Sequence, residues 1–169
     1  MLAKQELGVD SLDLDMLVED TESAQRVAAF LQSEIETNCP GLTINLRIVP
    51  KTQRIEQMES GDFELSLHRT GSSVPNVVAK LGQYSGGHNL NYGNYYDEAY
   101  DELYYAALNE TDVEAQWEML LDLELMAQES GVAIPIYRTA DCLLIRPNIT
   151  GYVHNLIGVG WDFTRADIG

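Results

Sequence analysis

Three stretches decide the fold: Asp13-Leu-Asp-Met-Leu-Val-Glu19, Leu42-Thr-Ile-Asn-Leu-Arg-Ile48 and Phe63-Glu-Leu-Ser-Leu67. The first has an apolar far half. In the other two, apolar residues alternate with polar ones, which is the pattern of a strand with one covered face. Apolar residues at helical spacing lie between successive strands. Strands that alternate with helices predict right-handed crossovers and a mainly parallel sheet.

The two connecting helices have recognisable ends and inward faces. The first begins at Asp20 or Thr21, since either residue caps a helix well, and it ends in Asn38-Cys-Pro-Gly41. Its apolar stripe comprises Ala24, Val27, Ala28, Leu31 and Ile35. The second helix is shorter and is expected to turn Ile55 and Met58 inward. Each helix therefore covers one face of the sheet.

The composition changes after the third strand. The pattern predicts a loop over Thr70–Asn76, a short helix over Val77–Leu81 and a long loop over Gly82–Asn94. Asn94 is expected to cap the next helix. The residues that this helix is expected to turn inward are Ala99, Tyr100, Leu103 and Ala107.

A second long helix and two short strands are predicted next. The helix starts at a capping box, Thr111-Asp-Val-Glu114, and ends at Ser130-Gly131. It is expected to bury Val113, Trp117, Leu120 and Leu121. The strands are predicted over Ala133–Arg138 and Cys142–Ile145, joined by a turn at Thr139-Ala140.

The charge of the chain excludes some partners. It has 169 residues, of which 27 are acidic and 10 basic, for a net charge of −17. Such a charge repels phosphate backbones, so nucleic-acid binding is not expected. No base occurs between Asn91 and Ser130 although acids are frequent there. This acidic block is interpreted as a solvated helix face, with a docking face for a basic partner as the alternative.

The ends of the sequence suggest a part of a longer protein. The chain is long enough for one domain with a core, and it contains no apolar run that would span a membrane. Met1-Leu-Ala-Lys-Gln-Glu-Leu7 lacks the apolar region of a signal peptide. It reads as the tail of a helix, so we expect a signal or lipid anchor to lie in a missing part.

The sequence gives little support for a metal or redox site. Cys39 and Cys142 show no metal or redox spacing, and whether they form a disulfide is left open because geometry decides it. The three histidines, His68, His88 and His154, are too scattered for a metal site. No cofactor and no catalytic group are predicted.

Several phrases, taken in order, carry a resemblance. They are Thr21-Glu-Ser-Ala-Gln-Arg-Val-Ala-Ala-Phe-Leu-Gln32, Gly61-Asp-Phe-Glu-Leu65, Asn94-Tyr-Tyr-Asp-Glu-Ala-Tyr-Asp-Glu-Leu103, Glu110-Thr-Asp-Val-Glu-Ala-Gln-Trp117 and Gly131-Val-Ala-Ile-Pro-Ile-Tyr137. Their order and spacing resemble extracellular solute-binding protein family 5, the oligopeptide- and dipeptide-binding components of ABC importers. Each phrase alone is weak, and the match rests on the series.

The resemblance implies a fold and a role. The fold is α/β, a type II periplasmic-binding-protein-like lobe with a mainly parallel sheet, flanking helices and one or two extra strands near the C-terminus. Residues 1–169 are expected to be a single lobe, the C-terminal ligand-binding lobe of a two-lobed protein. The implied role is extracytoplasmic capture of a solute, most often a peptide. The implied partners are the N-terminal lobe of the same protein and the membrane subunits of the importer.

The chain departs from the family at the first ligand loop. Many peptide-binding relatives carry Trp-x-x-Asp-Tyr-x-x-Pro after the third strand, and the acid meets the α-ammonium of the peptide. Here the stretch is His68-Arg-Thr-Gly-Ser-Ser-Val-Pro75, and no acid occurs between Arg69 and Tyr96. The ammonium-binding role is therefore carried over to no residue, and Arg69 favours an anionic group instead. A nickel chelate, haem or a sugar stays open as the solute.

The candidate ligand-binding residues follow from the fold. Ligands of α/β sheets collect at the carboxyl ends of parallel strands, and the Gly86–Tyr92 loop offers amides and an aromatic face. The candidates are Arg69, Thr70, Ser72, Ser73, His88, Asn89, Asn91 and Tyr92. Two rivals remain: an enzyme whose carboxylates, such as Asp62 or Asp162, work in pairs, and an interaction module that uses the acidic helices.

Overall fold

The computed structural model describes residues 2–70, 76–138, 142–155 and 160–169. It divides the chain into two compact units. Unit 1 comprises Met1–Thr70 and Tyr92–Asn94, and unit 2 comprises Gly71–Asn91 and Tyr95–Gly169. Each unit has its own core, and each is described by itself below.

Unit 1 contains a three-stranded parallel sheet. Its strands are β1 (Leu12–Glu19), β2 (Leu42–Val49) and β3 (Leu65–Leu67), in the order β2-β1-β3. Leu12 lies opposite Leu42, and Met16 lies opposite Leu65. The predicted parallel sheet is confirmed, with β1 at its centre.

The helices of unit 1 are α1 (Leu2–Leu7), α2 (Glu22–Asn38) and α3 (Lys51–Ser60). Thr21 caps α2, because its side chain accepts a hydrogen bond from the backbone N–H of Ala24. At the end of α3, Gly61 adopts φ 74°, a left-handed conformation that glycine takes without strain.

Both faces of β1 are covered. One core cluster contains Met16, Val18, Ala28 and Ile44, all with at most 5% of their surface exposed. Leu17 points to the opposite face of β1 and is fully buried. Met58 of α3 is also buried, with 2% of its surface exposed. The helices α2 and α3 both contact β1.

Unit 2 is mainly helical. Its helices are α4 (Val77–Leu81), a 3-10 turn (Gly82–Tyr84), α5 (Glu98–Asn109) and α6 (Val113–Glu129). Two short antiparallel pairs follow, listed here by their strands: β4 (Ile149–Thr150) with β7 (Asp167–Ile168), and β5 (Val153–His154) with β6 (Trp161–Asp162). The extra strands predicted near the C-terminus are thus present, at other positions than expected.

The core of unit 2 is built from α4, α5 and α6. Its buried members are Leu81, Tyr100, Ala107, Leu120, Leu123 and Ala127. Tyr100 is fully buried, and its hydroxyl donates a hydrogen bond of 2.8 Å to the backbone carbonyl of Leu81. This bond satisfies the polar end of the largest buried side chain.

The predicted strands over Ala133–Arg138 and Cys142–Ile145 are wrong for the described residues. Residues 133–138 and 142–145 form no strand, and Ile134 and Leu144 are 66% and 98% exposed. An apolar run becomes a strand only when another strand pairs with it, and the described residues provide none here. Thr139 and Ala140 lie outside the described residues.

Both predicted helix caps in unit 2 are wrong by a few residues. The cap of α5 is Asp97, which accepts from the N–H groups of Ala99 and Tyr100, whereas Asn94 lies outside the helix with φ 48°. The cap of α6 is Asp112, one residue after Thr111. In both cases the cap is the aspartate directly before the first helical residue, whose side chain reaches the first free N–H groups.

The predicted inward faces of these helices are partly wrong. Tyr100, Ala107 and Leu120 are buried as expected. Ala99 is exposed, and so are Val113, Trp117 and Leu121, by 81%, 53% and 50%. The helix α6 carries two apolar rows, and the row that contains Leu120, Leu123 and Ala127 takes the core position.

Two further features concern cysteines and membrane spans. Cys39 and Cys142 are exposed thiols without a disulfide. Among the described residues, no helix has the length and apolar character needed to cross a membrane.

Candidate functional site

The three strands of unit 1 end at the same edge of the sheet. Because β1, β2 and β3 are parallel, their carboxyl ends at Glu19, Val49 and Leu67 lie together. In sheets of this kind, ligands bind beyond the carboxyl ends of the strands. The predicted residues Arg69 and Thr70 follow β3 at this edge.

A largely buried ion pair lies at the carboxyl end of β1. Arg54 of α3 donates from Nη2 to Oε2 of Glu19 at 3.2 Å, and the two side chains are only 7% and 24% exposed. Nη1 of Arg54 also contacts Sδ of Met58 at 3.1 Å. The charge of Glu19 is therefore compensated inside the protein, so Glu19 is not available to a ligand as an unpaired carboxylate.

Sequence reasoning missed this pair. Glu19 closes an apolar strand and Arg54 lies on a helix 35 residues later, so no local spacing connects them. Within the described residues, Nε of Arg54 and Oε1 of Gln57 are buried without a hydrogen-bond partner. Sites like these are normally served by a buried water.

The segment after β3 presents an aromatic contact and a cation. The ring of His68 meets the ring of Tyr92 edge-on, with centroids 6.5 Å apart and planes at 88°, which is a favourable aromatic geometry. Tyr92 is one of the predicted residues and belongs to the same unit. Arg69 is exposed, and within the described residues it forms no salt bridge.

Other predicted residues lie elsewhere or outside the described residues. Ser72 and Ser73 fall in the stretch that the structure does not describe. His88, Asn89 and Asn91 belong to unit 2. Of the predicted set, Arg69, Thr70 and Tyr92 therefore share a unit, and the three loop residues of unit 2 form a second group.

Asn91 holds the loop of unit 2 together. Its amide nitrogen donates to the carbonyls of Ser85 at 3.2 Å and Tyr95 at 2.7 Å, and its oxygen accepts from the N–H of Tyr95 at 3.0 Å. These bonds use both donors of the amide. Asn91 therefore shapes the loop that presents the exposed Asn89 and the half-buried His88.

The start of this loop is attached to α5. Asp101 accepts a hydrogen bond of 2.8 Å from the N–H of Gly86. A Cβ at position 86 would lie 2.6 Å from Oδ2 of Asp101, so only glycine allows this close approach. His88 closes a tighter turn by accepting from the N–H of Leu90 through Nδ1 at 3.1 Å.

A group of tyrosines stays neutral beside this loop. Burial raises the pKa of Tyr95, Tyr100 and Tyr104, and neighbouring acidic or phenolic groups add to the effect. Tyr95 lies against Tyr100 with ring centroids 5.5 Å apart. These phenols are hydrogen-bonding groups without charge and are not poised as acids at neutral pH.

The acids named for an enzymatic alternative are engaged in local bonds. Asp62 pairs with Arg47 at 2.9 Å. Asp162 accepts from the hydroxyl and the N–H of Thr164, and these hydrogen bonds lower the pKa of its carboxyl. Among the described residues, no three His, Cys, Asp or Glu side chains are placed to hold a metal ion.

A polar depression in unit 1 is lined by several carboxylates. Its lining includes Asp13, Asp15, Arg47, Asp62 and Glu64. The pair of Arg47 with Asp62 and the hydrogen bond from the N–H of Asp15 to Glu64, at 2.7 Å, account for two of these acids. The depression is at the edge where β1 begins, away from the carboxyl ends of the strands.

Comparison with known proteins gives consistent relatives. No family model matches the chain. The dipeptide-binding protein of Lactococcus lactis subsp. cremoris (strain MG1363) is 30% identical over 168 residues, which cover 97% of this chain and 30% of that protein. The chain thus spans under a third of the length of this curated relative.

Solved structures share the fold. The substrate-binding domain of an oligopeptide ABC transporter from Bacillus anthracis str. Ames superposes with a TM-score of 0.88 at 27% identity, over 99% of this chain and 33% of that one. Listeria monocytogenes OppA bound to peptide superposes with a TM-score of 0.83 at 21% identity, over 99% and 32% of the two chains.

Proposed function

We propose that this chain, which belongs to extracellular solute-binding protein family 5 and has the fold of a type II periplasmic-binding-protein lobe, captures a peptide for uptake by an ABC importer. The observation that carries this proposal is the similarity to a dipeptide-binding protein over 97% of the chain. The relatives are binding proteins and not enzymes, and the acids at Asp62 and Asp162 are held in local bonds.

The proposed arrangement is a ligand held between two lobes. Residues 1–169 act as the C-terminal lobe, and an N-terminal lobe of the same protein supplies the other half of the contacts. Two observations support this. The solved relatives are about three times as long. Ile134, Ile136 and Leu144 are apolar and exposed on segments that pair with no strand of the described residues. Closure of such lobes excludes water from the ligand.

The proposed ligand contacts start from Arg69. Its exposed guanidinium, at the carboxyl edge of the sheet, suits the terminal carboxylate of a peptide. Thr70, Ser72 and Ser73 follow it with hydroxyl groups, and Tyr92 adds an aromatic face. From unit 2, we assign His88 and Asn89 to polar contacts with the ligand and Asn91 to positioning their loop.

A non-peptide solute is the second candidate. The stretch from Arg69 to Tyr96 contains no acid, so this loop offers no partner for the α-ammonium of a peptide. A nickel chelate, haem or a sugar does not need such a partner. An acidic protein-interaction module is the weaker alternative for the chain as a whole.

The proposed location is outside the cytoplasm, in the periplasm or at the cell surface. A solute receptor of an ABC importer meets its ligand there and delivers it to the membrane subunits. A lipid anchor elsewhere in the full-length protein is part of the proposal.

Calorimetry on the protein expressed from its whole natural gene tests the proposal. We expect heat of binding with a pool of short peptides and none with sugars, haem or nickel chelates. Binding of one of these solutes, with no heat from peptides, would replace the peptide assignment by the second candidate.

The role of Arg69 has a sharper test. We expect Arg69→Gln to weaken the binding of peptides with a free carboxyl terminus by about tenfold, which is the effect of one charge-assisted hydrogen bond. Peptides with an amidated C-terminus should bind both proteins equally. Lys51→Gln is the matched control, because Lys51 is an exposed cation that follows β2 at the same edge. An equal loss in both variants would mean that only the net charge matters.

A further inference from the structure

The helix α6 carries an exposed apolar row along its length. Its members are Val113, Trp117, Leu121 and Leu125, which are 81%, 53%, 50% and 55% exposed. They recur every four residues, so they form one continuous ridge on the helix surface. We call this row the α6 ridge. Single exposed apolar residues are ordinary, but a contiguous row with a tryptophan in it is a mark of an interaction surface.

An acidic row runs beside the α6 ridge. Glu114, Glu118 and Asp122 have the same four-residue spacing, shifted by one position, and all three are exposed. A shift of one residue is a rotation of about 100° around the helix, so the acids lie along one side of the ridge. From Asn91 to Tyr137 the sequence contains no Lys, Arg or His to compensate them.

The ridge begins at a shallow depression. Thr111, Asp112, Val113, Glu114 and Trp117 line it, and its volume is about 670 Å³. Trp117 is the aromatic residue among those that line this open depression. Tryptophans in such surroundings are frequent among the residues that dominate binding energy.

The charge decides which occupant fits. A second copy of this chain would bring another net charge of −17 and an identical acidic row to the contact, and like charges across an interface are costly. An amphipathic helix with an apolar row beside a row of lysine or arginine has no such penalty. It also matches the surface in both hydrophobicity and charge.

From this match we propose that the α6 ridge and its acidic row form a docking surface for a basic amphipathic helix of a partner protein. The apolar row of the partner packs along Val113, Trp117, Leu121 and Leu125. Rows of this spacing cross at about −50° when they interlock. The lysines or arginines of the partner pair with Glu114, Glu118 and Asp122. The proposal uses none of the residues proposed to contact the solute, and the two proposals fail independently.

Fluorescence of Trp117 tests the proposal directly. The chain has two tryptophans, so Trp161→Phe leaves Trp117 as the single reporter. The probe is a synthetic helical peptide with leucine on one face and lysine on the other. We expect its binding to shift the Trp117 emission to shorter wavelength. A peptide with glutamate in place of lysine should cause no shift.

Variants separate docking from mere attraction to an acidic protein. In calorimetry with the lysine peptide, Leu121→Ser and Trp117→Ala should each weaken binding about tenfold, because each removes a central apolar contact without changing the charge. Phe30→Ala is the control, since Phe30 is 64% exposed on α2. Neutralising two acids of the row (Glu114→Gln with Glu118→Gln) should weaken binding more than neutralising two acids of α3 (Glu56→Gln with Glu59→Gln), although both double variants remove the same number of charges.

Three results would overturn the proposal. One is unchanged binding in Leu121→Ser, which would show that only the net charge attracts the peptide. Another is equal binding of the glutamate peptide. The third is a dimer in sedimentation that Leu121→Ser abolishes, which would assign the ridge to a second copy of the chain.

Discussion

Unit 1 and unit 2 bury their apolar side chains in different ways. Unit 1 buries aliphatic side chains on both faces of a central strand, with Leu17 and Ile44 among them. Unit 2 packs three helices around a fully buried Tyr100 and leaves Trp117 and Leu121 exposed. A sheet covered by helices on both sides has little apolar surface left over. A few helices cover one another only partly, and the uncovered rows remain for other contacts.

The two units also treat charge differently. Unit 1 contains the salt bridges of Glu22 with Arg26, Arg47 with Asp62 and Glu19 with Arg54. The helices α5 and α6 of unit 2 carry acids without any basic residue. Unit 1 therefore contains several ion pairs, whereas the helices α5 and α6 of unit 2 carry charges of one sign only.

The largest effect is expected from breaking the compensated charge of unit 1. Glu19→Leu leaves the buried guanidinium of Arg54 without its carboxylate and should lower the free energy of unfolding by about 3 kcal/mol. The double variant Glu19→Leu with Arg54→Met should recover most of that loss, because it removes both charges. Urea unfolding followed by far-ultraviolet circular dichroism measures both.

The control for this experiment is the pair of Glu22 with Arg26, whose side chains are 80% and 78% exposed. Glu22→Leu should change the free energy of unfolding by no more than about 0.5 kcal/mol. If Glu19→Leu were as mild as Glu22→Leu, the ion pair at the strand edge would have no structural importance.

An intermediate effect is expected from the buried phenol of unit 2. Tyr100→Phe leaves the carbonyl of Leu81 without its donor and should cost about 2 kcal/mol at pH 8. Burial raises the pKa of Tyr100, so its stabilisation is complete below the unfolded pKa of about 10 and is lost as the pH rises above it. The wild type should therefore lose stability from about pH 10 upwards, and Tyr100→Phe should lose less over the same range.

Unfolding curves at pH 8 and pH 11 check this prediction. Tyr105→Phe is the control, because Tyr105 is 56% exposed and its ring lies at the surface. It should leave both the stability and its pH dependence unchanged. Parallel pH profiles for wild type and Tyr100→Phe would show that the alkaline loss arises elsewhere. Residues 2–70 contain no tyrosine, so tyrosine ionisation reports mainly on unit 2.

The smallest effect concerns the start of α6. Asp112 accepts hydrogen bonds from the N–H groups of Glu114 at 3.0 Å and Ala115 at 2.9 Å. Asp112→Ala should therefore cost about 1 kcal/mol, seen as a lower melting temperature. Thr111→Ala should be close to neutral, although the sequence pattern names Thr111 as the cap. If Thr111→Ala lowered the melting temperature more than Asp112→Ala, Thr111 would be the cap, as the capping box in the sequence predicts.

The fold of unit 1 could be predicted from local patterns. Alternating residues such as Ile44 and Leu46 marked the strands, and Thr21 marked the start of α2. Each of these signals depends on near neighbours in the chain. The strand order, with β1 between β2 and β3, was not among these predictions, because right-handed crossovers allow more than one order.

Prediction was poorer in unit 2 because its signals were ambiguous. The helix α6 has apolar residues on more than half of its circumference, so periodicity alone does not distinguish the row of Leu120 and Leu123 from the row of Trp117 and Leu121. The choice depends on how α4 and α5 lie against it. For the proposed solute contacts, the sequence named Arg69 and Tyr92 but did not place His68 against Tyr92.

By itself, the sequence determined the strands and helices of unit 1, their parallel sheet and the absence of basic residues from α5 and α6, because these depend on residue type and short-range spacing. The tertiary structure alone decided that Glu19 meets Arg54, that Asn91 bonds the backbone of Ser85 and Tyr95, and that the α6 ridge stays exposed. The physical reason is that the Glu19–Arg54 contact and the packing of α6 depend on where distant segments come to lie, and that Asn91 acts through a loop conformation. A spacing rule contains neither kind of information.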